Sequence, residues 1–300
     1  MNGAKILSIA AQRPARTMSN DELPGKFDID DAWIQSRTGI ATRGVANAEE
    51  TLVEMSAGAA SKAIAEAGID PATIDLTIVA TSSNPITTPG IAPPLTDRLG
   101  LTSGAFDIMA ACAGFCYSVN VAADSIRAGS ARNVLVVGAE RITDRMDWND
   151  RNTCYLFGDG AGAAIISATD VDDDGIGPVV WGSDGALADY IAQPMDSPYL
   201  QMDGQAVFKW AITELAGFAR EACEKAGIEP KDLAAFVPHQ ANLRIVESVA
   251  RNLGVGESTV VADDVRYSGN TSAASIPLAI SRMKEEGRIQ SGDSTQLIGF

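Results

Sequence analysis

Two stretches of the chain, EAGIDPATIDLTIVATSS (residues 66–83) and KAGIEPKDLAAFVPHQAN (residues 225–242), carry the same grammar 159 positions apart. Each ends a helical run with A-G-I, turns on an acidic residue and a proline, and enters an apolar strand. Glycine just past a helix and proline shortly after it are ordinary stop signals, so one such match is weak. A second follows it. ACAGFCYSVNVAADSIRAGSARNVLVVGA (111–139) and SGNTSAASIPLAISRMKEEGRIQSGDSTQLIGF (268–300) each open a helix from small or polar residues, pass a glycine and end in a strand. Aligned at an offset of 158, they set Cys112 opposite Asn270, each at a helix start. Two similar halves packed face to face would bring both starts together.

The hydrophobic pattern predicts helices near 52–67, 113–128, 205–226, 242–253 and 272–286. It predicts strands near 76–82, 105–109, 133–139, 161–168, 233–238 and 294–299, with a further strand at the N-terminus. Alternation of this kind defines an α/β protein with largely parallel sheets covered by helices. The run ATDVDDDGIG (168–177), with four aspartates and two glycines, divides the chain into halves at 1–170 and 171–300.

Composition removes several functions. The 300 residues are 46% hydrophobic and 21% charged, with a net charge of -16. A chain this acidic, with no dense basic cluster, is not expected to bind nucleic acid. No apolar run approaches the roughly 20 residues that span a bilayer, so no membrane partner is expected. The N-terminus reads as a strand rather than a signal peptide, and a cytoplasmic location follows. The four cysteines include no C-x-x-C pair and the chain has one histidine, so no metal site is expected.

That histidine, His239, closes the strand AAFVP beside Gln240 and Asn242, at the end where α/β proteins hold ligands. Cys112 follows a strand and opens a helix, whose exposed N–H groups and dipole favour a thiolate. Cys116, one turn later, reads as structural. Asn270, within YSGNTSAAS, reads equally as a helix cap or as a functional carboxamide. FGDGAGAA (157–164) lacks the spacing of a phosphate loop and leads into a strand, so Asp159 and Gly160 are read as a turn.

DIMAACAGFCYSV (107–119), FVPHQANLRI (236–245) and YSGNTSAASIPLAI (267–280) resemble the active-site segments of the β-ketoacyl-acyl-carrier-protein synthase III family, of the thiolase fold. The resemblance extends to DDAWIQSRTGIATR (30–43) and DRNTCYLFGDGAGAA (150–164), and so to nearly the whole chain. It implies two pseudo-symmetric halves in α-β-α-β-α layers. It also implies a triad in which Cys112 carries the acyl group while His239 and Asn270 activate the extender. The type I and II ketosynthases use two histidines, which a chain with a single histidine does not supply.

The implied reaction takes an acyl group from acyl-CoA onto Cys112 and joins it to malonyl-acyl-carrier protein with loss of CO₂, initiating fatty-acid synthesis. Both are substrates, and no cofactor is expected. Trp33, Arg37, Arg151 and Asn242 are implied at the coenzyme A site, and Arg244 with Arg251 at the docking face for the carrier protein. Thr88, in SNPITTPGIAPP (83–94), is implied to cap the acyl pocket of a partner chain in a homodimer, with room for primers beyond acetyl. The family continues past the position of Phe300 through a glycine-rich turn and another strand, which leaves the second half short and its activity in this form an open expectation. Three other readings stand beside this one: a same-fold acyltransferase or starter condensing enzyme of a polyketide or other secondary pathway, a cysteine hydrolase, and a non-catalytic acyl-binding subunit.

Overall fold

The computed structural model describes residues 2–25 and 27–300. The first half runs β1 (Gly3–Gln12), β2 (Thr17–Ser19), α1 (Asp31–Thr38), β3 (Thr42–Gly44), α2 (Leu52–Ala67), β4 (Leu76–Ala80), α3 (Ala92–Leu99), β5 (Gly104–Ile108), α4 (Gly114–Arg127), β6 (Asn133–Arg141) and β7 (Asp159–Thr169). The second contains β8 (Ile191–Ala192), β9 (Gln201–Met202), α5 (Gly204–Ala226), β10 (Ala235–Pro238), α6 (Leu243–Leu253), β11 (Val260–Val261), α7 (Val265–Ser268), α8 (Ser275–Glu285) and β12 (Thr295–Ile298).

Two sheets organise these elements. The larger has the order β1-β7-β6-β4-β5 and the smaller β11-β10-β12. In the first, β4 pairs parallel with both β5 and β6; in the second, β10 pairs parallel with both β11 and β12. The repeat heard in the sequence is therefore a repeat of three parallel strands. Strand alternation then sorts side chains into layers. Val79, Leu135 and Val137 face outward onto Leu52, Met55 and Ala60 of α2. Ile78, Val134 and Val136 face inward onto Phe115 and Ile126 of α4 and Ile276 and Met283 of α8, which also meet Ala235 and Val237 of β10. Phe236, between those two, faces out onto Leu215 of α5 and Val249 of α6. The result is five layers, α-β-α-β-α, with α4 and α8 in the middle. Burying a side chain such as Phe115 or Phe236, both fully inaccessible, contributes about 1.5–3 kcal/mol.

Small residues let the middle layer sit close. A Cβ on Gly138 of β6 would lie 2.3 Å from the Ala273 carbonyl oxygen, and one on Gly162 of β7 would lie 2.5 Å from Cβ of Pro277 in α8. The glycines are required where the second half's helix start meets the first sheet.

The structure departs from the sequence reading in several places, beginning with the larger sheet, which is mixed because β7 pairs antiparallel with both β1 and β6. Asp159 and Gly160 are not a turn: they begin β7, and the buried Asp159 carboxylate accepts the Thr143 N–H at 2.9 Å and the Ala46 N–H at 2.9 Å. Those bonds hold two loops to the end of the strand. The halves align at an offset of 161 around their helix starts, not 158, because Ala111 and Ser272 are the matching residues with positive φ (44° and 47°) ahead of α4 and α8. Asn270 thus precedes the match to Cys112. Helices α1 and α3 were not foreseen; each is only eight residues, and α3 opens with two prolines that an N-terminal turn accepts. Strand β11, two residues long, is too short for periodicity to register.

Candidate functional site

Two of the three catalytic candidates sit where parallel strands end. Cys112 follows β5 in a short 3-10 turn (Ala111–Ala113), His239 follows β10 directly, and Asn270 lies between α7 and the turn that opens α8. The three line one cavity of about 2730 Å³. That volume exceeds a usual ligand pocket. It continues past the site beneath an irregular segment around Val179–Ser183 and along β12, which pairs on one side only among the described residues.

Each polar group is held by its own contacts. Asn270 is clamped by backbone: its N–H donates to the Leu156 carbonyl at 2.8 Å and its carbonyl accepts the Gly158 N–H at 3.0 Å. Its Oδ1 accepts the Ser272 N–H at 2.9 Å, which leaves the amide NH₂ as the free end. The fully buried His239 pairs Nδ1 with Ser275 Oγ at 2.7 Å, and its ring meets Phe300 edge to face at 5.1 Å. Ser275 Oγ also accepts the Gln240 N–H at 3.3 Å, an arrangement compatible with its own proton pointing to Nδ1 and the imidazole proton on Nε2. Burial pushes the imidazole down to about 3, so the ring is neutral through the physiological range.

Cys112 differs from the sequence expectation of a helix-stabilised thiolate. Burial pushes its thiol up to about 11, against a smaller lowering by the Ser272 hydroxyl 3.5 Å from the sulfur, while Glu140 raises it further. The thiol lies two residues outside α4 in a desolvated corner, and desolvation outweighs the helix start. Burial raises the Cys116 thiol as well, to about 12, with the Gly299 N–H toward its sulfur. Gly299 packs tightly here, since a Cβ would fall 2.7 Å from Cα of Ala113.

The remaining predicted residues divide. Trp33 has the Arg37 guanidinium over its ring at 4.6 Å and that of Arg151 at 5.4 Å, all three lining the cavity. Asn242 lines it too, but both ends of its side chain are engaged: Oδ1 caps α6 by accepting the Arg244 N–H at 2.9 Å, and Nδ2 donates to the Arg37 carbonyl at 3.3 Å. Arg244, exposed, stacks over Phe208 at 5.1 Å. Arg251, also exposed, lies two turns along α6 and outside the cavity lining, and Thr88 is exposed and outside it as well. Sequence reasoning missed Ser272, Ser275 and Glu140. The first two stood inside a quoted motif, and a lone acid at the end of the apolar run NVLVVGAE was the available signal for the third.

Five such layers around a cysteine, a histidine and an asparagine define a condensing acyltransferase of the thiolase fold. The family described as 3-oxoacyl-[acyl-carrier-protein] synthase III matches residues 106–185, and its C-terminal domain matches 223–300. The chain is 46% identical to beta-ketoacyl-[acyl-carrier-protein] synthase III 4 of Streptomyces coelicolor over 99% of its own length and 95% of the relative's. Among solved structures it is similar to the priming beta-ketosynthase of the R1128 polyketide pathway, with a TM-score of 0.95, 42% identity, and 99% and 92% of the two chains covered. It is also similar to 3-oxoacyl-[acyl-carrier-protein] synthase III of Aquifex aeolicus, with a TM-score of 0.93, 37% identity, and 98% and 95% covered. The chain belongs to the 3-oxoacyl-[acyl-carrier-protein] synthase III family.

Proposed function

We propose that this enzyme transfers an acyl group from acyl-CoA to Cys112 and condenses it with malonyl-acyl-carrier protein, releasing CO₂ and 3-oxoacyl-acyl-carrier protein and so initiating fatty-acid synthesis. The supporting observation is that Cys112, His239 and Asn270, from three separate segments, open into one cavity that also reaches Trp33. Coenzyme A would enter past Trp33, its adenine against the ring and its phosphates near Arg37 and Arg151. Cys112 sulfur attacks the thioester carbon and coenzyme A leaves, with the Cys112 N–H a donor to the tetrahedral oxyanion. Decarboxylation of the extender leaves an enolate whose oxygen needs donors without negative charge beside it. The His239 Nε2–H and the Asn270 NH₂ are two such donors. The enolate carbon then attacks the acyl group on Cys112. No step calls for a cofactor.

The reading extends to a homodimer. Strand β5 is an outer edge of the larger sheet and exposes Phe106 (40%), with Met109 (81%) just past its end, surface that a second copy would cover, and Thr88 would then reach the partner's pocket. Light scattering should return twice the 31.3 kDa chain mass. Arg244 and Arg251 would meet the acidic carrier protein. A cytoplasmic location agrees with four free thiols, and among the described residues no helix is long and apolar enough to cross a membrane.

Peptide mass spectrometry after incubation with a mixed acyl-CoA panel, followed by malonyl-acyl-carrier protein, tests the whole scheme. Acyl mass on the Cys112 peptide, discharged by the extender, is expected, with primers longer than acetyl preferred. Acylation elsewhere, or none, rejects it.

A further inference from the structure

Glu140, next to last in β6, lies inside the protein with no accessible surface. Its carboxylate accepts the Ser82 N–H at 3.1 Å, the Thr81 hydroxyl at 3.2 Å and the Ser83 hydroxyl, while the Ser272 hydroxyl and the Ala273 N–H, outside hydrogen-bond geometry with it, lie close enough to favour its ionised form. Every one of these partners is neutral. Arg141, the next residue, turns away to Asp144 and to the carbonyls of Asn47 and Glu50. On β7 the residue opposite is Gly160, and the neighbouring Asp159 carboxylate is turned to Thr143 and Ala46. Among the described residues, the ionisable group that faces Glu140 is Cys112.

A buried carboxylate ringed by donors but given no counterion is costly as a structural element. Its position beside a nucleophile gives it a use. The link is Ser272, held at φ 47°, a backbone conformation rare for serine, with its Oγ 3.5 Å from the Cys112 sulfur. The other candidate proton acceptor, His239, has Nδ1 occupied by Ser275 and is pushed down to about 3, whereas burial raises Glu140 to about 7.

We propose that Ser272 and Glu140 form the proton path that activates Cys112 for acylation. The thiol proton passes to Ser272 Oγ as the Ser272 hydroxyl proton passes to the Glu140 carboxylate. The sulfur forms its bond to the acyl carbon, the bond from that carbon to the sulfur of coenzyme A breaks, and the departing thiolate takes the proton back from Glu140 through Ser272. One thioester replaces another, with no change of oxidation state. Glu140 acts through Ser272 and touches no reacting atom; it is a positioning residue.

This rests on acylation of Cys112 as proposed above, and the test separates the two. First-turnover release of coenzyme A is followed from pH 5.5 to 9, alongside release of CO₂ from malonyl-acyl-carrier protein. In the unaltered enzyme, acylation should rise through an inflection in the neutral range. E140Q and S272A should each lose that inflection and about a hundredfold of the acylation rate, at least tenfold more than they lose in CO₂ release, and E140D should recover part of both. S272A, which removes one hydroxyl, carries the test alone if E140Q does not fold. A folded variant that keeps the inflection and the rate, or loses both half-reactions equally, overturns the proton path. An unaltered enzyme that is never acylated overturns the assignment of Cys112 instead.

Discussion

At the scale of single residues, burial governs the chemistry more than charge does. His239 is the chain's one histidine and is held neutral, so its linkage to folding can be isolated. Its folded pKa is depressed to about 3, while the unfolded imidazole takes a proton near 6.5. The unfolded state therefore binds the extra proton, and stability is lost as pH falls below about 6.5, by ~2–3 kcal/mol at pH 4.5. Glu140 and Asp159, raised by burial to about 7 and about 6, take up protons on the folded state over the same range in both proteins, so the effect is read as a difference: by urea unfolding, the stability of the unaltered protein relative to His239→Gln should fall by that amount between pH 7.5 and 4.5. Trp33 lies instead at the rim, stacked under Arg37 and Arg151. Trp33→Ala should raise KM for acyl-CoA about three- to thirtyfold, the range expected for one stacking or cation–π contact, with kcat changed little. A steady-state series over acyl-CoA concentration reads both constants.

At the scale of elements, the close fit of α8 and its preceding turn onto β6 and β7 sets the geometry of Asn270 and Ser272. Gly138→Ala would drive a methyl into the Ala273 carbonyl. The expected cost is about 1–3 kcal/mol of stability, typical of overpacking, accompanied by loss of condensation because the Ser272 turn shifts with it. Thermal unfolding and turnover measured on the same preparation check the pairing of the two effects. The elements themselves were largely readable. Strand β4 and helix α2 follow their apolar periodicity, and the glycine at the end of each long helix marks its stop. Short elements were not, since two residues of β11 carry no period, and Asp159 looked like a turn because its two hydrogen-bonding partners, Thr143 and Ala46, come from other segments of the chain.

At the scale of the molecule, an ion cluster ties the halves together as well as the shared middle layer. The Asp264 carboxylate, 2% exposed, accepts Arg282 from α8 and, at 3.3 Å, Arg13 from just beyond β1. Arg13 also donates to the Leu278 carbonyl at 2.9 Å. Asp264→Ala would remove the counterion that two guanidinium groups share, leaving Arg282 only Glu286 at 3.8 Å. A loss of ~3–5 kcal/mol is expected from breaking such a buried pair, read as a lower denaturant midpoint with an unchanged slope.

Order along the chain determined a good deal without coordinates: the α/β class from alternating periods, the duplication from two echoes of helix stop and strand, and the candidate cysteine, histidine and asparagine from their places at strand ends and helix starts. These are local properties, encoded within one turn or one strand. The tertiary structure alone decided that the matching residues are Ala111 and Ser272, that the Cys112 thiol is raised rather than lowered, and that Glu140 lies beside it with no counterion. Those outcomes depend on desolvation and on donors brought from distant segments. Neither quantity exists until the five layers close.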